Sequence, residues 1–120
     1  MEWGTFQTDG WSSPTVRVAR TFRERFNGLR PRPSGQGILL PGRSVHGFGM
    51  KERLLVVGLD DGARVIGVRI LFPRRFAAIP GAHHILELPI EQKAPRQGAV
   101  LTWVGGGSPD CLRNTDRQPR

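Results

Sequence analysis

Arg43, His46 and Glu87 are the residues of this chain whose types could act together on a ligand. An imidazole titrates near neutral pH and can give a switchable polar contact or carry a proton. A guanidinium grips anions through a planar fork of donors, and a carboxylate can orient either group. His46 stands in Arg43-Ser44-Val45-His46-Gly47-Phe48-Gly49-Met50, an apolar ladder broken by two glycines. Phe48 and Met50 would supply an apolar wall beside it. Glu87 stands in Leu86-Glu87-Leu88-Pro89, where strand alternation sends Leu86 and Leu88 to the opposite face. Isolated strand carboxylates usually face water, so a solvent-facing Glu87 on an edge strand is expected, with a cation partner as the alternative. His46 equally fits a core histidine bonded to a backbone carbonyl.

Other chemistries find no support in the residues. Ser44 shares a face with His46 if that stretch is extended, but no Gly-x-Ser-x-Gly elbow surrounds it. No glycine-rich phosphate loop precedes a helix, and no Cys-x-x-Cys spacing exists. His83 and His84 are adjacent, so in a strand they point to opposite faces and cannot chelate one metal together. Cys111 is the single cysteine and lies in a polar run. No metal site, cofactor or catalytic residue is expected.

The charge balance points to anions. Eighteen basic residues face ten acidic ones, for a net charge of +8, and the pI is near 11.5. Such a chain attracts nucleic acid and other polyanions. Sixteen of the eighteen are arginines, mostly scattered, which also suits a GC-rich coding sequence. The one dense stretch holds Arg17, Arg20, Arg23, Arg25, Arg30 and Arg32 around the lone acid Glu24, and is the candidate nucleic-acid face. A solvated basic surface is the plainer reading of it. No apolar run approaches the roughly 20 residues that cross a bilayer. Residues 1–10 lack a basic start and an apolar segment, so a cytoplasmic protein is expected.

The elements that must position these residues are mostly strands. Thr15 to Ala19 alternates as a short strand. Thr21-Phe22-Arg23-Glu24 reads as a capping box, and Phe22, Phe26 and Leu29 form one apolar stripe, predicting a helix that stops at Asn27-Gly28. Short strands follow at Ile38–Leu40, Leu54–Leu59, Arg64–Phe72, His84–Leu88 and Ala99–Val104. Asp60-Asp61-Gly62-Ala63 reads as a hairpin turn with Gly62 supplying the positive φ. Ile66, Val68, Ile70 and Phe72 share one face of a regular strand. The expected fold is α+β, mainly β: a small curled sheet or barrel-like domain of about six short strands with one N-terminal helix. Residues 1–104 make one domain, and the Gly/Ser/Pro-rich polar run 105–120 is expected to be disordered.

In order and spacing, four blocks resemble the bacterial and archaeal family called domain of unknown function 192. They are the helix and turn ending in Asn27-Gly28-Leu29, Gly37-Ile38-Leu39-Leu40, Val45-His46-Gly47-Phe48-Gly49-Met50, and Ile85-Leu86-Glu87-Leu88-Pro89. The third is close to the family's Ile-His-Thr-Phe-Gly-Met hallmark, the fourth to its Val-Leu-Glu-Leu-Pro block. The resemblance runs from about Val16 to Trp103 and implies a compact strand-rich domain. It implies no activity, because the family's role is unassigned. Leu55 stands where the family usually has an aspartate, so a site that used that acid is altered here.

These readings favour a non-catalytic module binding a small ligand or protein partner through Arg43, His46, Phe48, Met50 and Glu87. Polyanion or nucleic-acid binding through the Arg17–Arg32 face is the alternative. An acid–base enzyme using His46 and Glu87 is a further one, and it requires those two side chains within hydrogen-bond reach.

Overall fold

The computed structural model describes residues 2–19, 35–47 and 50–105. In chain order its strands are β1 Glu2–Thr8, β2 Trp11–Ser12, β3 Val16–Val18, β4 Gly37–Pro41, β5 Ser44–His46, β6 Leu54–Leu59, β7 Val65–Leu71, β8 Phe76–Ala78, β9 His84–Pro89 and β10 Thr102–Gly105. The main sheet runs β10-β1-β3-β4-β9-β6-β7, with β2 paired to β1, and β5 with β8 forms a separate ribbon. Among the described residues only β3 and β4 pair in parallel; the other pairings are antiparallel.

The mainly β expectation holds, with more strands than the six expected. β1, β2, β5 and β8 carry weak alternation. β1 contains Gly4, where a Cβ would lie 2.5 Å from the Trp103 ring, so the residue that spoils the strand pattern is required by packing. Among the described residues there is no helix. The helix expected over Thr21–Leu29 lies outside them, as does the tail expected to be disordered beyond Gly105.

The sheet curls into a half-barrel whose ends meet at one point. Arg64 and Val100 form an antiparallel bridge. Beside it, Val65 N donates to Ala99 O at 2.8 Å, Gly98 N to Val65 O at 2.8 Å and Leu101 N to Ala63 O at 2.9 Å. The strand start that opens β7 is thereby tied to the segment that leads into β10, which satisfies backbone groups that sheet edges otherwise expose.

Both faces of the central strands are buried. The concave side holds Phe6, Val16, Val18, Leu39, Leu55, Val57, Leu59, Leu86, Leu88, Leu101 and Trp103. The convex side holds Ile38, Leu40, Leu54, Val56, Leu71 and Ile85, covered by Val45 and Ala77 of the ribbon and by Ile79. Double burial explains why β6 and β9 read as continuous apolar runs and not as alternating ones.

The β6–β7 hairpin corrects two expectations. Asp60 Oδ1 accepts from Gly62 N and Arg64 N, both at 2.9 Å, so the carboxylate shapes the turn. The left-handed residue is then Ala63, with φ 64°, and not Gly62. The register also shifts between Gly58 and Leu59. An extra residue on β7 puts Ile66 with the convex cluster and Val68 with the concave one, so they do not share a face.

Gly58 and Gly67 face each other across that irregularity. A Cβ at Gly58 would lie 2.5 Å from Ile79 Cγ2, and one at Gly67 would lie 3.0 Å from the same atom. The two glycines form a notch that Ile79 fills, and Ile79 N donates to Arg43 O at 2.8 Å. The ribbon is thereby pinned to the sheet. Gly58→Ala overpacks this notch and is expected to destabilise the fold by about 1–3 kcal/mol. Gly67→Ala, with more space, should cost less. Denaturant unfolding midpoints measure both; an unchanged midpoint for Gly58→Ala would show that Ile79 is not held there.

Candidate functional site

His46 ends β5, directly opposite Phe76 of β8. Their ring centroids are 6.5 Å apart, edge to face at 73°. Val45 and Ala77, the neighbouring pair, are buried against the convex cluster. Strand alternation therefore turns His46 and Phe76 to the outer face of the ribbon, away from the sheet. Ser44 and Ala78, the next pair on that outer face, are small and exposed.

Gly47 follows, buried, in the tightest approach of this region. A Cβ there would collide with the Phe72 carbonyl oxygen. Gly47 N donates to Arg75 O at 2.8 Å, and Gly47 O accepts from Arg74 N at 3.1 Å and from Met50 N at 3.2 Å. The segment it meets is a β-turn, Phe72-Pro73-Arg74-Arg75, closed by Arg75 N donating to Phe72 O at 3.1 Å. Arg74 sits at the third position with φ 65°. Proline at the second position and a positive φ at the third define a type II turn, whose third place normally belongs to glycine. The backbone bonds to Gly47 hold Arg74 in that conformation.

Glu87 lies elsewhere. Its cross-strand partners are Ile38 and Val56, both in the convex cluster, and it is 0% exposed. The expectation of a solvent-facing acid is overturned. β9 is central, between β4 and β6, and the ribbon side of the sheet is covered. Glu87 engages in a polar or electrostatic interaction there, which a buried carboxylate requires. Strand register also places Arg17 and Arg69 in the same cross-sheet row, each two strands from Glu87 on the same face. At the usual strand spacing that is roughly 10 Å in each direction.

The five residues expected to form a ligand site are therefore distributed over two layers. Met50 is half-buried against the convex cluster, on the Glu87 side of the ribbon. Arg43 is exposed and His46 half-buried at the ribbon, and Phe48 lies outside the described residues. Of the candidate basic face, Arg17 is half-buried in β3, and Arg20, Arg23, Arg25, Arg30 and Arg32 lie outside the described residues. His83 is exposed and His84 buried, on opposite faces of the chain. Among the described residues no three His, Cys, Asp or Glu side chains cluster as a metal would need.

Residues absent from the sequence-derived site stand out on the ribbon side. Phe76 is 72% exposed, and Phe72, where the 72–75 turn begins, is 47% exposed. Arg43, Lys51, Arg53, Arg69, Arg74 and Arg75 are all exposed. Within residues 43–53 and 69–78 these six basic groups meet one acid, Glu52. Pro73-Arg74-Arg75 was legible only as a strand terminator. A large aromatic on each side of it was the available signal.

No family model matches the sequence, and neither does any curated protein. Two solved structures share the fold. One, from Sinorhizobium meliloti, is described as a "putative transcription regulator"; its TM-score is 0.65 at 17% identity, covering 85% of this chain and 92% of that one. The other, from Novosphingobium aromaticivorans, is a protein of unknown function, with a TM-score of 0.62 at 16% identity over 84% of each chain. At these identities the likeness establishes the mainly β architecture alone. No helix among the described residues is long and apolar enough to cross a membrane.

Burial separates the two candidate residues experimentally. Glu87→Ala removes a buried group from its polar interaction and should cost on the order of 3 kcal/mol. Phe76→Ala, at an exposed position, should stay within about 0.5 kcal/mol of the native stability. Chemical denaturation of the two variants side by side reads the difference, and the reverse order would place Glu87 in solvent.

Proposed function

We propose that this domain is a non-catalytic binding module whose contact surface is the outer face of the β5–β8 ribbon with the 72–75 turn. One observation carries the reading: Phe76 and Phe72 are exposed, and the segments 43–53 and 69–78 to which the ribbon strands belong carry six exposed basic residues. Exposed aromatics framed by arginine are characteristic of contact surfaces. His46 adds an imidazole ring packed edge to face against Phe76. The pinned turn fixes the backbone of Arg74 and Arg75 next to the end of β5, so little order has to be created there on binding.

An acid–base mechanism through His46 and Glu87 has less in its favour. His46 belongs to the outer face of the ribbon and Glu87 to the layer beneath it. General acid–base partners must reach one substrate atom together. The kinship to domain of unknown function 192 remains part of this proposal, resting on the His46 and Glu87 blocks; it adds no chemistry. The helix over Thr21–Leu29 likewise belongs to the proposal, resting on its capping box and apolar stripe.

Phenyl phosphate combines the ring and the anion that this surface would recognise. Titrated into isotope-labelled protein, it should move backbone amide resonances of residues 43–47 and 72–78, with millimolar affinity typical of so small a ligand. Shifts confined to other regions, or no shifts at all, would reject the ribbon as the contact surface.

A further inference from the structure

The chemistry of the ribbon surface narrows its partner to one class. We infer that the outer face of the β5–β8 ribbon binds single-stranded nucleic acid, with Phe76 as a base-stacking platform and the surrounding arginines on the phosphates. This inference rests on the ribbon being the contact surface, and it names residues distinct from the Arg17–Arg32 stretch.

Shape comes first. On the outer face the Phe76–His46 pair is followed by the Ser44–Ala78 pair. Small side chains therefore flank the Phe76 ring along the ribbon, leaving a low floor onto which a planar base can slide. Phe72, also exposed, opens the turn whose backbone meets Gly47, next to His46. An exposed ring beside small side chains gives an unpaired base a stacking surface, the contact by which proteins hold unpaired strands without reading their sequence.

Charge comes second. The six exposed basic residues 43, 51, 53, 69, 74 and 75 against the single acid Glu52 make the segments 43–53 and 69–78 strongly positive, within a chain of net charge +8. Five of the six are arginines, whose flat guanidinium both pairs with phosphate and stacks on bases. A repeating ligand that carries one ring and one negative charge per unit uses both features at once. An acidic peptide would engage the arginines and leave the aromatic platform with no matched partner.

Strandedness comes third. A two-stranded ribbon can enter the major groove of a duplex only if it projects from the protein. This ribbon lies flat: Val45 and Ala77 are buried on the sheet, and Ile79 is seated in the Gly58–Gly67 notch just beyond β8. The Phe76 ring can therefore meet bases only where the bases are already unstacked and turned outward.

Fluorescence anisotropy of labelled dT12 and rU12 with the full chain tests this. Binding at 50 mM NaCl is expected, weakening as salt rises and exceeding the affinity for a 12-base-pair duplex. Phe76→Ala should weaken single-strand binding by about 10-fold, the size of one base–aromatic stack, with an unchanged slope against log salt. Arg74→Ala with Arg75→Ala should instead flatten that slope by about 1.4, at roughly 0.7 for each phosphate no longer neutralised. Retained melting temperature certifies that Phe76→Ala is folded. Absence of binding at 50 mM NaCl, equal affinity for the duplex, or a Phe76→Ala effect under about 2-fold overturns the inference. If phenyl phosphate still shifts the ribbon while dT12 and rU12 do not bind, the nucleic-acid assignment fails and the contact surface stands. If neither ligand perturbs the ribbon, both fail. An acidic phenylalanine-containing peptide that binds in a Phe76-dependent way where the oligonucleotides do not would replace nucleic acid by a protein partner.

Discussion

Ile79 in the Gly58–Gly67 notch is the contact on which the arrangement of this domain depends. The half-barrel leaves a convex apolar face on its central strands, and that face must be covered. The ribbon is too short to cover it through backbone pairing, since β5 and β8 have three residues each. It is held instead by side chains: Val45 and Ala77 press on the sheet, and Ile79 locks into a recess that only paired glycines can leave open. Interiors packed at crystal-like density do not tolerate an added methyl at such a point.

From that anchor the exposed surface follows. A ribbon fixed by its inner face must present its outer face to solvent, so His46 and Phe76 are displayed as a consequence of burying Val45 and Ala77. The Gly47 junction extends the display by binding the 72–75 turn through backbone hydrogen bonds. Arg74 adopts a left-handed conformation there that costs on the order of 1 kcal/mol or more for a residue with a Cβ. The backbone bonds offset that cost. The result is a rigid aromatic and basic surface on a scaffold whose chemistry-bearing acid, Glu87, is sealed in the layer below.

Much of the frame was legible from residue types. Leu54–Leu59 was read with the bounds that β6 has, and β9 differs from its expectation only by Pro89. Both are long apolar runs closed by turn residues, the strongest kind of local strand signal. β1 was not legible, because Gly4 breaks its pattern for the sake of Trp103, a neighbour about 100 residues away in the chain. β5 and β8 were missed for a related reason. Three-residue strands have too little alternation to detect, and they exist because a sheet face needs covering. At the site, His46 was found by its type and its glycine neighbours, whereas Phe76 carried no mark distinguishing it from a core phenylalanine.

The amino-acid sequence by itself determined the mainly β class, the central strands, the hairpin at Asp60 and the strong positive charge, because each is a local property of residue type and spacing. Only the tertiary structure decided which residues face water. Glu87 looked like an edge-strand acid until strand order placed it between β4 and β6, beneath a cover. Phe76 meets water because the ribbon's inner face is filled by the smaller Val45 and Ala77. A one-residue bulge near Gly58 separated Ile66 from Val68, although their spacing puts them on one face of a regular strand. Burial is a relation between segments distant in the chain, and period-two alternation specifies two faces without saying which one meets solvent.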